Sequence, residues 1–373
     1  SGLHLLGNDA DYDDGTTQRK NGQLYGIMLL PLSATSADLN EAKKLLIDRG
    51  ASEEAQASGS QYYAAWYQRR DIVEFPAHTF PNATTLQIAW RVCNSMTDFG
   101  AIQAPLCTNF TSAWQSCSAL TSFPAGAKLG TEVTTGVNFT SAWQSSGLQS
   151  FPALDLSNGT TFFNAFRGTQ LTTIDSGVLL GTAVASANVN FQNAFRETPL
   201  TEFPALDLSK GKYFTSTWQN CSALTSFPAD AKLGTEATNV NFTAAWKASG
   251  LESFSTPVPT ANICSETWRD CDDLVSFDLE EIPLATNTYA CWFADSALIS
   301  FSTALPSTGY SRYAWTNCTS LTDFSADVFN NWNPSVISSL VFDSAWDGCT
   351  SLTAQSVENI LTSIDAAGQY ATA

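Results

Sequence analysis

The chain has 373 residues, 44% of them hydrophobic and 12% aromatic, which is ample material for a core. Its 35 acidic residues against 17 basic ones give a net charge of −18, the wrong sign for a nucleic-acid groove or an anionic membrane surface. No apolar run approaches the length of a membrane span, and no stretch reads as a signal peptide.

Residues 1–22 are polar and rich in aspartate. Asp9, Asp11 and Asp13 are spaced as in a calcium loop, but Asp14 stands where that loop needs glycine, and Lys20 stands at its closing glutamate position. The stretch therefore reads as a solvated acidic arm, with calcium as its alternative. Residues 23–31 read as one strand. Ser36 or Asp38 caps a helix over 37–49 whose apolar face is Leu39, Ala42, Leu45 and Leu46, and Gly50 ends it. Residues 1–60 thus form an arm, a strand–helix cap and a short polar linker.

From residue 61 to 353 one pattern recurs, seen plainly in Asn109-Phe-Thr-Ser-Ala-Trp-Gln-Ser-Cys-Ser-Ala-Leu-Thr-Ser-Phe-Pro124. Its large aromatic falls at Trp66, Trp90, Trp114, Trp143, Phe166, Phe195, Trp218, Trp246, Trp268, Trp292, Trp315 and Trp346, with steps of 22 to 31 residues. Trp114 to Phe166 and Phe166 to Trp218 are both 52 residues, which points to duplication of repeat pairs. The long members carry an added turn, Leu129-Gly-Thr, Leu180-Gly-Thr or Leu233-Gly-Thr. Phe110, Ala113 and Trp114 have helical spacing, and Phe123 and Ala125 have strand spacing. Each unit is therefore expected to be a helical turn, a bend and a strand. Units this small bury their apolar faces only by stacking, so an α/β solenoid of about twelve repeats follows, with a parallel sheet on one side and helical caps.

Within the repeat, six cysteines sit three residues after the aromatic: Cys93, Cys117, Cys221, Cys271, Cys318 and Cys349. A register-locked cysteine reads as a small buried filler. Cys93/Cys117 and Cys318/Cys349 lie in consecutive repeats, which leaves a disulfide open. Zinc is disfavoured, because there is no Cys-x-x-Cys pair and only His4 and His78 are available. Four units that lack the cysteine are shorter by one residue, as if its slot were deleted. Asn109, Asn138, Asn190, Asn241 and Asn287 recur five residues before the aromatic and suggest a ladder bonding coil to coil. Proline after the strand phenylalanine, at 76, 124, 152, 204 and 228, either ends the strand or interrupts the sheet. Residues 354–373 read as a capping helix with Val357, Ile360, Leu361 and Ile364 on one face, then a tail.

No catalytic constellation emerges: there is no nucleophile motif, no phosphate loop and no dinucleotide fingerprint. The carboxylates Glu266, Asp270, Asp272 and Asp273 cluster as a solvated edge, with a polysaccharide-cleaving pair as a remote alternative. What the repeat offers is surface. The residue before each strand phenylalanine points outward, giving Ser122, Ser150, Thr173, Glu202, Ser226, Ser253, Ser276, Ser300 and Asp323 as a candidate ligand-binding ribbon. The bland alternative is an ordinary wet sheet face. The Trp and Phe row reads as core rather than as a sugar platform.

The pattern Ala-Trp/Phe-x-x-Cys-x-x-Leu-x-x-Phe/Ile-Pro resembles the BspA-like leucine-rich repeat over roughly four fifths of the chain. Two flanking stretches, Leu39-Asn-Glu-Ala-Lys-Lys-Leu-Leu-Ile-Asp-Arg-Gly-Ala51 and Ser351 to Gly368, resemble repeat-bearing tail or virion proteins of bacteriophages. The resemblance implies a leucine-rich-repeat solenoid without enzymatic activity or cofactor, located on a virion or cell surface. Its expected partners are a host-surface glycan or protein, other virion proteins, or further copies of itself. The alternative is a structural subunit, such as a capsid decoration or filament protein, with the repeats as a spacer.

Overall fold

The computed structural model describes residues 61–330, 332–333 and 341–366. The arm with Asp9, Asp11 and Asp13, the strand and helix expected before residue 61, and the tail after 366 lie outside these residues.

The chain winds as a parallel β-solenoid, one aromatic per coil. The segment around each aromatic is not a helical turn. Residues two before and two after it have positive φ in all twelve coils, from Ala64 (53°) and Gln68 (59°) to Ser344 (54°) and Gly348 (75°). Each closes a β-turn with a left-handed third residue, the geometry of a type II turn. In the coil of Trp114, Ala113 N–H donates to Phe110 O (3.1 Å) and Cys117 N–H to Trp114 O (3.3 Å). The intervening N–H groups point along the solenoid axis. Those of Phe110, Ser112, Trp114 and Ser116 donate to Asn138, Thr140, Ala142 and Gln144 of the next coil, each at 2.8 Å. Gln115 N–H bonds Ser112 O (3.3 Å) within the coil. Thr111 N–H is the one left over, and Asn109 Oδ1 accepts it at 3.0 Å. Every N–H from Phe110 to Cys117 is therefore used, as a buried backbone requires.

That arithmetic corrects the asparagine ladder. Asn138, Asn190, Asn241 and Asn287 likewise accept the N–H two residues on, at 2.8, 2.9, 2.8 and 3.0 Å. They cap their own coil instead of tying coils together, as Asx-turn residues do. Thr85 and Thr161 do the same through their hydroxyls. The backbone at this position does run coil to coil. It forms a six-stranded sheet from Val137–Asn138 to Ala261–Ile263, extended by single bridges from Gln61 through Thr85 and Asn109 at one end and to Asn287 and Tyr310 at the other. This is the longest ladder among the described residues.

Two further rows complete the cross-section. One passes through the Leu-Gly-Thr turns, pairing Lys128–Leu129, Leu179–Leu180 and Lys232–Leu233 with the preceding coils. The other is the expected phenylalanine strand, and it is only two residues long and broken into pairs. Where it pairs, the residue after the strand Phe or Ile donates to the previous phenylalanine carbonyl: Gly100 to Phe75 (2.6 Å), Asp175 to Phe151 (2.9 Å), Asp278 to Phe254 (2.8 Å). Pro124, Pro152, Pro204 and Pro228 have no N–H to give, and none of their coils pairs with the coil before it in this row. The sheet is thus distributed over several faces, not gathered on one side.

The interior is a column of rings. The twelve ladder aromatics from Trp66 to Trp346 lie nearly parallel, with centroids 5.0–6.4 Å apart and interplanar angles of 1–12°. A second stack of phenylalanines meets them edge-on, as in Trp114–Phe123 at 4.9 Å and 81°. Such pairs add about 0.5–1.5 kcal/mol each beyond buried area. The indole N–H groups of the ten ladder tryptophans have no acceptor, so apolar packing is what holds them.

Among the described residues there is one α-helix, α1, Ala354–Ala366. The C-terminal cap is thus helical, the N-terminal one falls outside the described residues, and the class of the repeat region is β-solenoid rather than α/β. α1 packs on the last strand with a face rotated from the expected one, which keeps Ile360 and Ile364 against the core but not Val357 and Leu361. Ser356, Ile360 and Ser363 are buried, while Val357 (45%) and Leu361 (54%) are exposed. The reason is the open strand end. Phe324 N–H donates to Ser356 Oγ (3.0 Å), Ser356 Oγ donates to Thr322 O (2.8 Å), and Asn359 Nδ2 donates to Phe324 O (2.9 Å). Satisfying those backbone groups fixes the helix rotation at the expense of two apolar side chains.

Candidate interaction surface

Leu120 and Phe123 are both buried, so the two residues between them both face solvent. The same spacing in successive coils stacks these pairs into a strip two residues wide. Ser122, Ser150, Thr173, Glu202, Ser226, Ser253, Ser300 and Asp323 are exposed as expected. Ser276 is half-buried and donates to Asp278 Oδ2 at 2.9 Å. The second row is one that alternation alone misses: Thr97, Thr121, Gln149, Thr172, Thr201, Thr225, Glu252, Val275 and Ile299, all exposed. Its signal was the Leu-x-x-Phe spacing, which leaves two outward residues where a strand leaves one. Thr97, Thr172 and Thr322 clip this row to the coil before, each bonding a carbonyl at 3.2–3.3 Å. Threonine dominates its middle, whereas Val275 and Ile299 make adjacent coils apolar near its C-terminal end.

The ladder aromatics are core, as expected: Trp66, Trp90, Trp114, Trp143, Trp218, Trp246, Trp268, Trp292 and Trp315 are at most 1% exposed. Trp346, in the last coil, is half-buried.

The slot three residues after the aromatic is present in every coil, including the short ones. Register cysteines donate S–H to the previous coil's aromatic carbonyl, as Cys93 does to Trp66 O (3.1 Å) and Cys117 to Trp90 O (3.1 Å). Thr169 and Thr198 fill the same slot but turn back to their own coil's Phe166 and Phe195 carbonyls, at 2.9 and 2.8 Å. The short units replace the thiol with a hydroxyl; the slot itself is not lost. Burial pushes the Cys93 thiol up to about 12 and the Cys221 thiol up to about 11, so these thiols are inert fillers. Two coils depart from this chemistry: the first carries Arg69 at that position, and the coil of Trp292 carries Asp295, fully buried, with Oδ1 accepting Cys271 N–H at 2.9 Å and Oδ2 unpartnered. Burial raises its carboxyl well above the usual carboxylate range.

Two of the four clustered carboxylates, Glu266 and Asp270, are tied into ion pairs. Glu266 takes Lys247 (2.5 Å) and Arg269 (3.4 Å), and Asp270 takes Arg269 (3.3 Å). Among the described residues no group of three or more His, Cys, Asp and Glu side chains is placed to hold a metal ion. No helix among them is long and apolar enough to cross a membrane.

Compared with known proteins, the chain matches no family model and no curated protein. Among solved structures it is similar to a leucine-rich repeat protein from Bacteroides ovatus, at 13% identity and a TM-score of 0.35, over 79% of this chain and 86% of that one. At that overlap, the solenoid described above rests on this chain's own backbone ladders and aromatic stack.

Proposed function

We propose that the chain is a non-enzymatic interaction protein of a virion or cell surface, a tail-fibre or adhesin component that binds a host-surface glycan or protein through the exposed strip. The observation that carries this reading is the strip itself. Hydroxyl-bearing side chains recur at one position per coil over coil after coil, presented by a rigid ring-stacked core, and mostly without bonds among themselves. An ordered array of donors and acceptors of that kind fits a polyhydroxylated or peptide-backbone ligand lying along the solenoid. The resemblance of the flanking stretches to phage tail proteins supports the same reading.

The test is binding of the labelled, purified chain to intact candidate host cells, with stripped surface polysaccharide as competitor. Saturable binding that the polysaccharide displaces is the expected result, and Ser226→Arg or Ser253→Arg should weaken it. Binding untouched by both substitutions would remove the strip from the mechanism.

A second reading, a structural subunit whose ends make the contacts, is favoured by the last coil. The N–H groups of Ser344, Trp346 and Gly348, which in earlier coils donate to a following coil, have no acceptor among the described residues. Concentration-dependent assembly in sedimentation, with no cell binding, would favour this reading.

A further inference from the structure

Nine cysteines are present, and eight of them are fully buried; Cys349 is half-buried. It lies in the last coil, directly over Cys318 in the same slot of the coil before. The two sulfurs share one neighbourhood. Trp315 O accepts the Cys318 N–H at 3.1 Å and the Cys349 S–H at 2.9 Å. Cys318 Sγ in turn lies 3.0 Å from Trp292 O.

Residues in register on stacked parallel coils have Cα atoms about 4.8 Å apart. That separation falls inside the range a disulfide spans, about 4.4–6.8 Å. Cys93 and Cys117 have the same register, but both are sealed in the core. Only the Cys318/Cys349 position combines register with access from solvent.

We propose that Cys318 and Cys349 are a disulfide-forming pair that fastens the terminal coil, and α1 with it, to the rest of the solenoid in an oxidising compartment. The oxidant is a low-molecular-weight disulfide. The Cys349 thiolate attacks one of its sulfurs, forming a mixed disulfide and releasing one small thiolate. Cys318 gives its proton to that thiolate and attacks Cys349 Sγ, displacing the second small thiolate. Two cysteine thiols are oxidised, one small disulfide is reduced to two thiols, and no other reactant is needed. The local electrostatics support this order. The neighbouring Cys318 side chain holds the Cys349 thiol below the ordinary thiol value, so the accessible sulfur is also the better nucleophile. The proposal is independent of the ligand-binding reading above.

The experiment is oxidation of the full chain by excess oxidised glutathione under native conditions, then alkylation, digestion and mass spectrometry, with thermal unfolding in parallel. The expected result is a cross-linked peptide joining Cys318 to Cys349, the loss of two hydrogens per chain, and a rise in Tm that a reducing agent reverses. Cys349→Ser should abolish all three, and Cys117→Ser should leave the cross-link unchanged. A stable glutathione adduct on Cys349 alone, a cross-link to another cysteine, or seven or more thiols still alkylated only after denaturation with no cross-link formed would each overturn the proposal.

Discussion

Positive φ at two fixed positions per coil is the rule that single residues here obey. Glycine would satisfy it everywhere, yet the positions hold Ser, Asn and Ala, and also Ile88 (50°), Val92 (64°) and Tyr313 (60°). Left-handed backbone costs an L residue about 1–2 kcal/mol, so stacking and inter-coil bonds must hold it in place. Gly168 (65°) isolates this term, because a Cβ added there would meet nothing closer than Ser145 Oγ at 3.6 Å. Gly168→Ala should lower stability by about 1 kcal/mol through the backbone alone, read as a shift in denaturation midpoint at unchanged slope. Asp295 makes the second prediction at this scale. Its folded pKa is raised above the unfolded value, near 3.9. The folded state therefore holds a proton that the unfolded state releases. Its contribution is intact below about pH 4 and is lost as pH rises toward the folded pKa, at up to about 1.4 kcal/mol per pH unit. Asp295→Asn keeps the bond to Cys271 N–H and removes the proton. The variant should be more stable than the parent at pH 7, and the difference should close as pH falls toward 4. A gap that is the same at pH 4 and pH 7 would show that Asp295 does not titrate between the two states.

At the scale of elements, strands among the described residues are two or three residues long and stand only because a strand of a neighbouring coil pairs with them. The end of such a row needs a substitute, and α1 supplies it with two polar side chains. Ser356→Ala removes both the acceptor for Phe324 N–H and the donor to Thr322 O. It should cost about 1–2 kcal/mol and raise the hydrogen-exchange rate of the Phe324 amide while interior coils stay protected. Sequence showed the repeat register, the buried aromatics and the outward serines, because those follow from spacing that every coil repeats. It showed the site's first row and missed the second. The helical turn was misread for a physical reason: Phe110, Ala113 and Trp114 fall on one side of tandem β-turns as readily as on one side of a helix. Telling them apart requires the sign of φ at Ser112 and Ser116, and serine has no strong preference to reveal it. The helix face was right at Ile360 and Ile364 and wrong at Val357 and Leu361, because hydrophobicity was weighed and the unpaired strand end was not.

At the scale of the whole molecule, the described solenoid is nearly one-dimensional, since among the described residues each coil bonds and stacks with the coils beside it. The 52-residue double period is then a removable unit. Deleting residues 167–218 places Phe166 one step from Trp246 with every slot in register. The shortened chain should fold, keep a single cooperative transition, and lose a few degrees of Tm. Aggregation or loss of the far-ultraviolet spectrum would mean that coil identity matters beyond its neighbours.

The aromatic column has an optical consequence. Four indoles, Trp66 to Trp143, and six, Trp218 to Trp346, sit within 5.6 Å of a like neighbour, and Phe166 and Phe195 divide the two groups. Light absorbed by any of these ten indoles will migrate among the members of its own group before it is emitted. The planes of neighbouring indoles lie within 9° of one another, so the excitation stays in a nearly common plane as it moves. The two phenylalanines divide the column into two separate antennae.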